Sequence, residues 1–374
     1  MAKGKVREFF PGGNTSLGFF SYYDYLVPPD AIRIMIIKGG PGVGKSSFMK
    51  ALATEMDGRG FDIELHHCSS DHHSLDGVVF PEIGVALMDG TSPHQIDPSH
   101  PGAVDEIINL GDYWDEKGIR RSRKEIIELS REISRNFRRA YRYLKAAKVI
   151  YDDLGAINGE GLAFGKANKI AAELSEELFF EYPATEKMGG LRKLFASAIT
   201  PEGFQNFLPG ILGTQPRVIA ITGGVGTGKA TLLNKILTAA LEKGFRCEGY
   251  YCAFDPYKIE HLIIPDLGIG FTTSVGPHCY PLNEANRVIQ MDQCVAPSVL
   301  TKYGKVIENE TRIINDLFET AISFIASAKH LHDQMEAYYV PNMNFTAITE
   351  LRQRTLERIL EYAAEKGSIA DLAR

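Results

Sequence analysis

Little in this chain marks it for a membrane, the cell exterior or a nucleic-acid surface. Across 374 residues no apolar run reaches the roughly 18 residues of a spanning helix. The opening Met1-Ala-Lys-Gly-Lys5 lacks the apolar stretch of a signal peptide. Cysteine is scarce. The five present (Cys68, Cys247, Cys252, Cys279, Cys294) are an odd set without framework spacing, which argues against a disulfide scaffold and for free thiols in a reducing compartment. Positive charge is not in excess: 41 Lys+Arg against 47 Asp+Glu leave −6, so no bulk basic surface advertises nucleic acid. With 44% hydrophobic and 24% charged residues, disorder and collagen-like repeats do not describe the whole chain. The expectation is a cytoplasmic globular protein of two or three domains, without membrane attachment.

What the chain does have is a long internal repeat. Gly39-Gly-Pro-Gly-Val-Gly-Lys-Ser46 has a near copy at Gly223-Gly-Val-Gly-Thr-Gly-Lys-Ala230, with Lys45 and Lys229 separated by 184 residues. The same separation pairs Gly60-Phe61 with Gly244-Phe245, Cys68 with Cys252, and Asp71 with Asp255. It also pairs Pro81 with Pro265, Gly84 with Gly268, and Pro93-His94 with Pro277-His278. Upstream, at a separation of 185, Arg7–Phe10 answers Arg192–Phe195 and Gly18-Phe19 answers Gly203-Phe204. The chain therefore reads as two homologous halves, 1–186 and 187–374. Positions kept in both halves serve the fold or a shared site; positions kept in one show how the halves divide the work.

Each half reads as α/β. Ala31–Ile37 and Arg217–Thr222 are β-rich runs that feed the glycine strings. Helices then run from Ser46 to about Met56 and from Ala230 to about Lys243, closed by Gly58-Arg-Gly60 and Gly244. Second strands follow at Phe61–Cys68 and Phe245–Cys252, and third strands at Ile83–Met88 and Leu267–Thr272. This alternation predicts a mostly parallel sheet flanked by helices in each half. Further on, at a separation of 181, Ile126, Ile133, Phe137, Tyr141, Leu144 and Ala147 fall on Ile307, Ile314, Phe318, Ile322, Ile325 and Ala328. The spacing is that of one buried face on a long helix. Gly155–Gly165 and Glu181–Gly190 read as loops, the second as the linker between halves.

The first glycine string carries chemistry. Its glycines let successive backbone N–H groups converge on one point, a nest for phosphate oxygens, and the following helix adds its partial positive charge. Gly39, Gly40, Gly42, Val43, Gly44, Lys45, Ser46 and Ser47 form this candidate site. Lys45 would neutralise phosphate charge and Ser46 would ligate Mg²⁺. Gly223, Gly224, Gly226, Thr227, Gly228, Lys229, Ala230 and Thr231 are the matching set in the second half. A second, carboxylate anchor for Mg²⁺ belongs at the end of an apolar strand, where Asp89 stands after Val85-Ala-Leu-Met88; a turn-forming Asp before Gly90 is the alternative. In the second half these two positions are Ala230 and Thr273. Both metal ligands are lost together while Lys229 and the glycines remain, which supports assigning them to one ion.

On these residues the sequence resembles the P-loop NTPases. Through Phe10-Pro-Gly-Gly-Asn-Thr15, Lys38–Ser46, His67-Cys-Ser-Ser-Asp71 and Asp89-Gly-Thr-Ser-Pro-His94 it is similar to a family of tandem P-loop ATP-binding proteins from Gram-positive bacteria. The resemblance covers nearly the whole chain. It implies two tandem P-loop domains, one with a complete and one with a degenerate Walker A string, and nucleotide binding, but no particular reaction.

Asp71, just past the second strand, is a candidate catalytic carboxylate, which by analogy with small-molecule P-loop kinases would accept the substrate hydroxyl proton or orient metal-bound water. An N-cap or turn Asp before a short helix is the alternative, and retention of Asp255 favours a structural share. Asp76 and Glu260 are a second retained acidic pair. Neighbouring His66 and His67 point to opposite faces of a strand, which weighs against a metal site in His66–His73. His94 and His278 follow retained prolines and serve a ligand or a loop equally well. Arg120, Arg121, Arg123, Arg131, Arg135, Arg138, Arg139 and Arg142 make the long helix of the first half basic, either as a lid over phosphates or as a solvated face balanced by Glu128 and Glu132. Asn168-Lys-Ile-Ala171 lacks the acid of a guanine-reading signature, so ATP is the expected nucleotide. The leading expectation is Mg²⁺-dependent ATP hydrolysis at the first site, with Lys45, Asp71 and Asp89 as candidate catalytic residues. A kinase acting on a small-molecule acceptor and a nucleotide-controlled module with a protein partner are the alternatives.

Overall fold

A computed structural model describes residues 4–27, 31–91, 96–277 and 279–372. The protein is α/β, with two six-stranded sheets flanked by helices. Among the described residues, none of the helices is long and apolar enough to cross a membrane.

The chain sorts into two compact units. The first draws on Met1–Pro11, Ser21–Phe137 and Phe324–Arg374, the second on Gly12–Phe20 and Arg138–Ser323. These units do not follow the 1–186 and 187–374 division of the repeat. The reason lies in the helices after each sheet. Arg123–Glu160 has 38 residues and Pro297–Tyr339 has 43. At 1.5 Å per residue such helices run to about 57 Å or more, far enough to carry the chain past the sheet it has just left. The helix Phe345–Leu372 therefore packs on Lys45–Asp57 in the first unit, and Phe164–Phe179 packs on Lys229–Glu242 in the second. Each half of the sequence contributes the covering helix of the other half's glycine loop.

In the first unit the strand order is Val6–Phe9, Ile63–Cys68, Asp71–Phe80, Val85–Asp89, Arg33–Lys38, Asp105–Asn109. Arg33–Lys38 has parallel neighbours on both sides, with Ile37 in register with Asp89. Met35, Ile36 and Ile37 are buried, as in a strand covered on both faces. One core joins the helix after the loop (Phe48, Met49, Leu52, Met56), the sheet (Leu75, Val78, Phe80) and the C-terminal helix (Ile348, Leu356, Ile359). The second sheet has the same order: Leu191–Leu194, Cys247–Tyr251, Ile259–Ile264, Ile269–Thr273, Arg217–Thr222, Arg287–Gln290.

Each sheet contains one strand beyond the parallel pattern. Asp71–Phe80 runs antiparallel to both neighbours, as does Ile259–Ile264. The sheets are mixed as a result. Asp71 opens a ten-residue strand rather than capping a helix, because Leu75, Val78 and Phe80 place one face of that strand in the core. The stretch Gly155–Gly165 is also mostly helical: one helix runs to Glu160 and the next starts at Phe164. Ile157 and Asn158 are buried, and that packing holds the helix through its glycines. The expected linker Glu181–Gly190 has neither helix nor strand beyond its first turn. His94 and His278 lie outside the described residues.

Candidate functional site

The first glycine loop joins the strand Arg33–Lys38 to the helix Lys45–Asp57. The helix starts from Gly44 in the left-handed region, φ 90°, ψ 18°. A side chain there would strain the backbone at the start of the helix. Lys45 folds back over the loop, its Nζ donating to Gly39 O at 2.7 Å and Gly40 O at 3.0 Å. The ammonium thus sits above the helix N-terminus on the loop's own carbonyls. Asp89 Oδ2 approaches it at 3.6 Å, both side chains being largely buried. Asp89 is fixed in turn by its strand register and by Thr91 N, which donates to Oδ1 at 2.8 Å; Thr91 Oγ1 donates to Gly39 O at 3.0 Å. Ser46 Oγ accepts from Leu75 N at 2.9 Å, so the antiparallel strand orients this hydroxyl.

A hydroxyl and a carboxylate oxygen are the hard donors that Mg²⁺ takes. Ser46 and Asp89 belong to the same loop-and-strand edge, and their donor set fits that ion. The second unit keeps the geometry without the donors. Thr273 sits in the same register against Ile221 as Asp89 does against Ile37, and Ala230 follows Lys229.

Asp71 is held by neighbours from two elements. Its Oδ2 accepts from Ser74 Oγ at 2.9 Å and pairs with Lys329 Nζ at 3.4 Å. Burial alone would raise its pKa, but the Ser74 hydroxyl and the Lys329 ammonium outweigh burial and hold the carboxyl below its ordinary value. Lys329 also pairs with Asp333. The same triad recurs in the second unit as Lys148, Asp152 and Asp255, with Lys148 Nζ 3.4 Å from Asp255 Oδ2. Of the second acidic pair, Asp76 is buried and Glu260 half-buried; after burial itself, Asp76 raises the Cys68 thiol pKa and Glu260 raises that of Cys252.

A roof covers the first loop. A methyl group on Gly40 would meet the Tyr339 ring at 2.9 Å; one on Gly42 would meet Val340 Cγ2 at 2.9 Å and Glu336 Cβ at 3.2 Å. Phe345 stands over Gly44. One turn back from Glu336, His332 Nδ1 lies 3.6 Å from Glu336 Oε1. Burial keeps the His332 pKa below its ordinary value, with the Lys329 and Lys45 charges adding to the effect. Lys329, His332, Glu336 and Tyr339 were not legible as site residues from motif reading. The available signal was the 181 separation, which pairs Lys329 with Lys148 and Asp333 with Asp152.

The second loop is packed more tightly. Lys229, 5% exposed, donates to Gly223 O and Gly224 O at 2.5 Å each. Burial lowers its pKa to about 8, with the nearby Lys258 ammonium adding to the shift. Lys258, at the position of Ser74, donates to Tyr151 Oη at 2.5 Å. Gly224 N donates to Asp292 Oδ1 at 2.9 Å, and Asn158 Nδ2 donates to Val225 O at 2.7 Å. Gly226 lies directly against the Gly155 backbone, leaving no room for a side chain.

The remaining candidates are placed elsewhere. His66 is fully buried beside the Phe9 ring, while His67 Nε2 lies 3.1 Å from Glu8 Oε1 and Nδ1 2.8 Å from His72 O. Arg120 pairs with Glu116 and Arg135 with Glu132, all on exposed surface, which fits the solvated-face reading of the basic helix. Comparison with protein-family models, curated proteins and solved structures finds no match to this chain.

Proposed function

We propose that the first glycine loop is a P-loop that binds ATP with Mg²⁺ and hydrolyses it, and that the second is a degenerate copy. The observation that carries this reading is the convergence at Lys45. Its ammonium rests on Gly39 O and Gly40 O over a helix N-terminus, with Asp89 at 3.6 Å and Ser46 next in the chain. A loop that concentrates N–H donors, a lysine and two hard oxygen donors fits a metal-bound polyphosphate. Lys45 and the loop N–H groups would hold the phosphates, and Ser46 and Asp89 would hold Mg²⁺, which supplies charge neutralisation when bound. A cytoplasmic setting accords with five free thiols.

The test copies the second site into the first. Ser46→Ala with Asp89→Thr is expected to abolish Mg²⁺-dependent phosphate release while some metal-free nucleotide binding survives. Should Lys229→Ala abolish turnover while the double variant stays active, the two sites have been assigned in reverse.

A further inference from the structure

On the reading of the first loop as a nucleotide site, we propose that Glu336 is the general base for hydrolysis there, oriented by His332. Both residues come from the second half of the sequence, whereas Lys45, Ser46 and Asp89 come from the first.

Three observations carry the assignment. The first is position. The Glu336 Cα lies within 3.4 Å of where a Cβ on Gly42 would stand, so this helix turn rests on the loop itself. Glu336 and His332 are only half-buried, which leaves both side chains within reach of water. The second is pairing. His332 Nδ1 lies 3.6 Å from Glu336 Oε1, close enough for the ring to bias the carboxylate's orientation. Burial holds the pKa of the ring below its ordinary value, which favours its neutral form.

The third observation is the comparison between copies. At the 181 separation Glu336 corresponds to Gly155 and His332 to Tyr151. The flanking anchors are kept, with Lys329 and Lys148, Asp333 and Asp152, Ala328 and Ala147, and Phe345 and Phe164 identical, while most other positions from Lys329 to Phe345 differ between the copies. Gly155 lies against Gly226 as Glu336 lies against Gly42, in closer contact, so the two helix turns occupy corresponding places in their units. Packing alone therefore does not require Glu and His at these positions. They are absent from the copy that also lacks the hydroxyl of Ser46 and the carboxylate of Asp89. These four side chains, which lie on three separate segments, are assigned to one reaction.

In the proposed step a water oxygen forms a bond to the γ-phosphorus and passes a proton to a Glu336 carboxylate oxygen. The bond from the γ-phosphorus to the β–γ bridging oxygen breaks, and its electron pair leaves with ADP. Glu336 then returns the proton to solvent.

The experiment measures Mg-ATP affinity by calorimetry and phosphate release by a steady-state assay on the full chain. The proteins are wild type, Glu336→Gln, His332→Phe, His332→Gln and Lys45→Ala. A positioned base contributes about 10²–10⁴-fold. Glu336→Gln is expected to lower kcat by at least about 100-fold, with the ATP dissociation constant and the melting temperature nearly unchanged. His332→Phe should lower kcat with little change in KM, and His332→Gln should restore part of it. The proposal is overturned if Glu336→Gln keeps kcat within threefold of wild type, or if wild type binds Mg-ATP at the first loop without releasing phosphate. Unchanged ATP binding in Lys45→Ala is a different failure, that of the nucleotide reading itself.

Discussion

Lys329 Nζ stands 3.4 Å from Asp71 Oδ2, and the two belong to opposite halves of the sequence repeat. The equivalent ion pair, Lys148 with Asp255, spans 3.4 Å in the second unit. A contact kept in the copy where Ser46 and Asp89 are replaced by Ala230 and Thr273 points to a holding role, fastening each long helix to the sheet of its unit. Asp71→Asn should therefore behave as Asp255→Asn does, each lowering stability in urea by about 1 kcal/mol or less because the pairs are partly solvated. ATP affinity should change little. The Asp71 carboxyl is held below the ordinary 3.8, so its contribution is present above that pH and is lost as pH falls through the depressed value. Loss of turnover in Asp71→Asn at unchanged stability, with Asp255→Asn silent, would return Asp71 to catalysis.

Lys229 makes the second loop pH-sensitive. Its pKa falls from 10.5 to about 8 on folding. Below the folded value both states carry the proton, and the folded state bears the full desolvation penalty. As pH rises from there towards the unfolded value, the folded state binds fewer protons and the penalty fades. The stability of wild type relative to Lys229→Met should therefore rise by about 2 kcal/mol between about pH 7 and about pH 9.5. Paired urea melts at the two pH values measure it; a flat difference would mean the ammonium is not desolvated.

The exchange of covering helices is open to a packing test. Ile359 is fully buried in a core with Phe48, Leu52 and Phe80, although it lies some 300 residues further along the chain. Ile359→Ala should destabilise the unit around the first glycine loop by about 2–5 kcal/mol. Hydrogen exchange should report the loss at the helix Lys45–Asp57, not at Lys229–Glu242. Loosening confined to the second unit would contradict the exchange.

The strands around each glycine loop were legible because apolar runs such as Arg217–Thr222 end at glycine. The long helices were legible from their periodic stripe, of which Leu144, Ala147, Ile325 and Ala328 are buried. The antiparallel strand Asp71–Phe80 was not: it opens with polar His72, His73 and Ser74, and its pairing is interrupted by register shifts between His66 and Cys68. The exchange of helices was hidden for a different reason. A stripe names the buried face of a helix but not the sheet that receives it, and both halves offer equivalent sheets. Lys45, Ser46 and Asp89 could be read from local spacing, whereas Glu336 and His332 arrive from the other half and carry no motif. Comparing the copies at Gly155 and Tyr151 was the one route to them.

On the proposed reading, Lys45 and its loop grip the phosphates of a nucleotide. The most direct measurement is a calorimetric titration of Mg-ATP into wild type and Lys45→Ala, with Lys229→Ala as the parallel. Removing one charge-assisted contact to phosphate costs about 2–3 kcal/mol, roughly 30- to 150-fold in affinity. That loss is expected for Lys45→Ala, with the affinity of the first site preserved in Lys229→Ala. Equal affinity and stoichiometry in wild type and Lys45→Ala would contradict it.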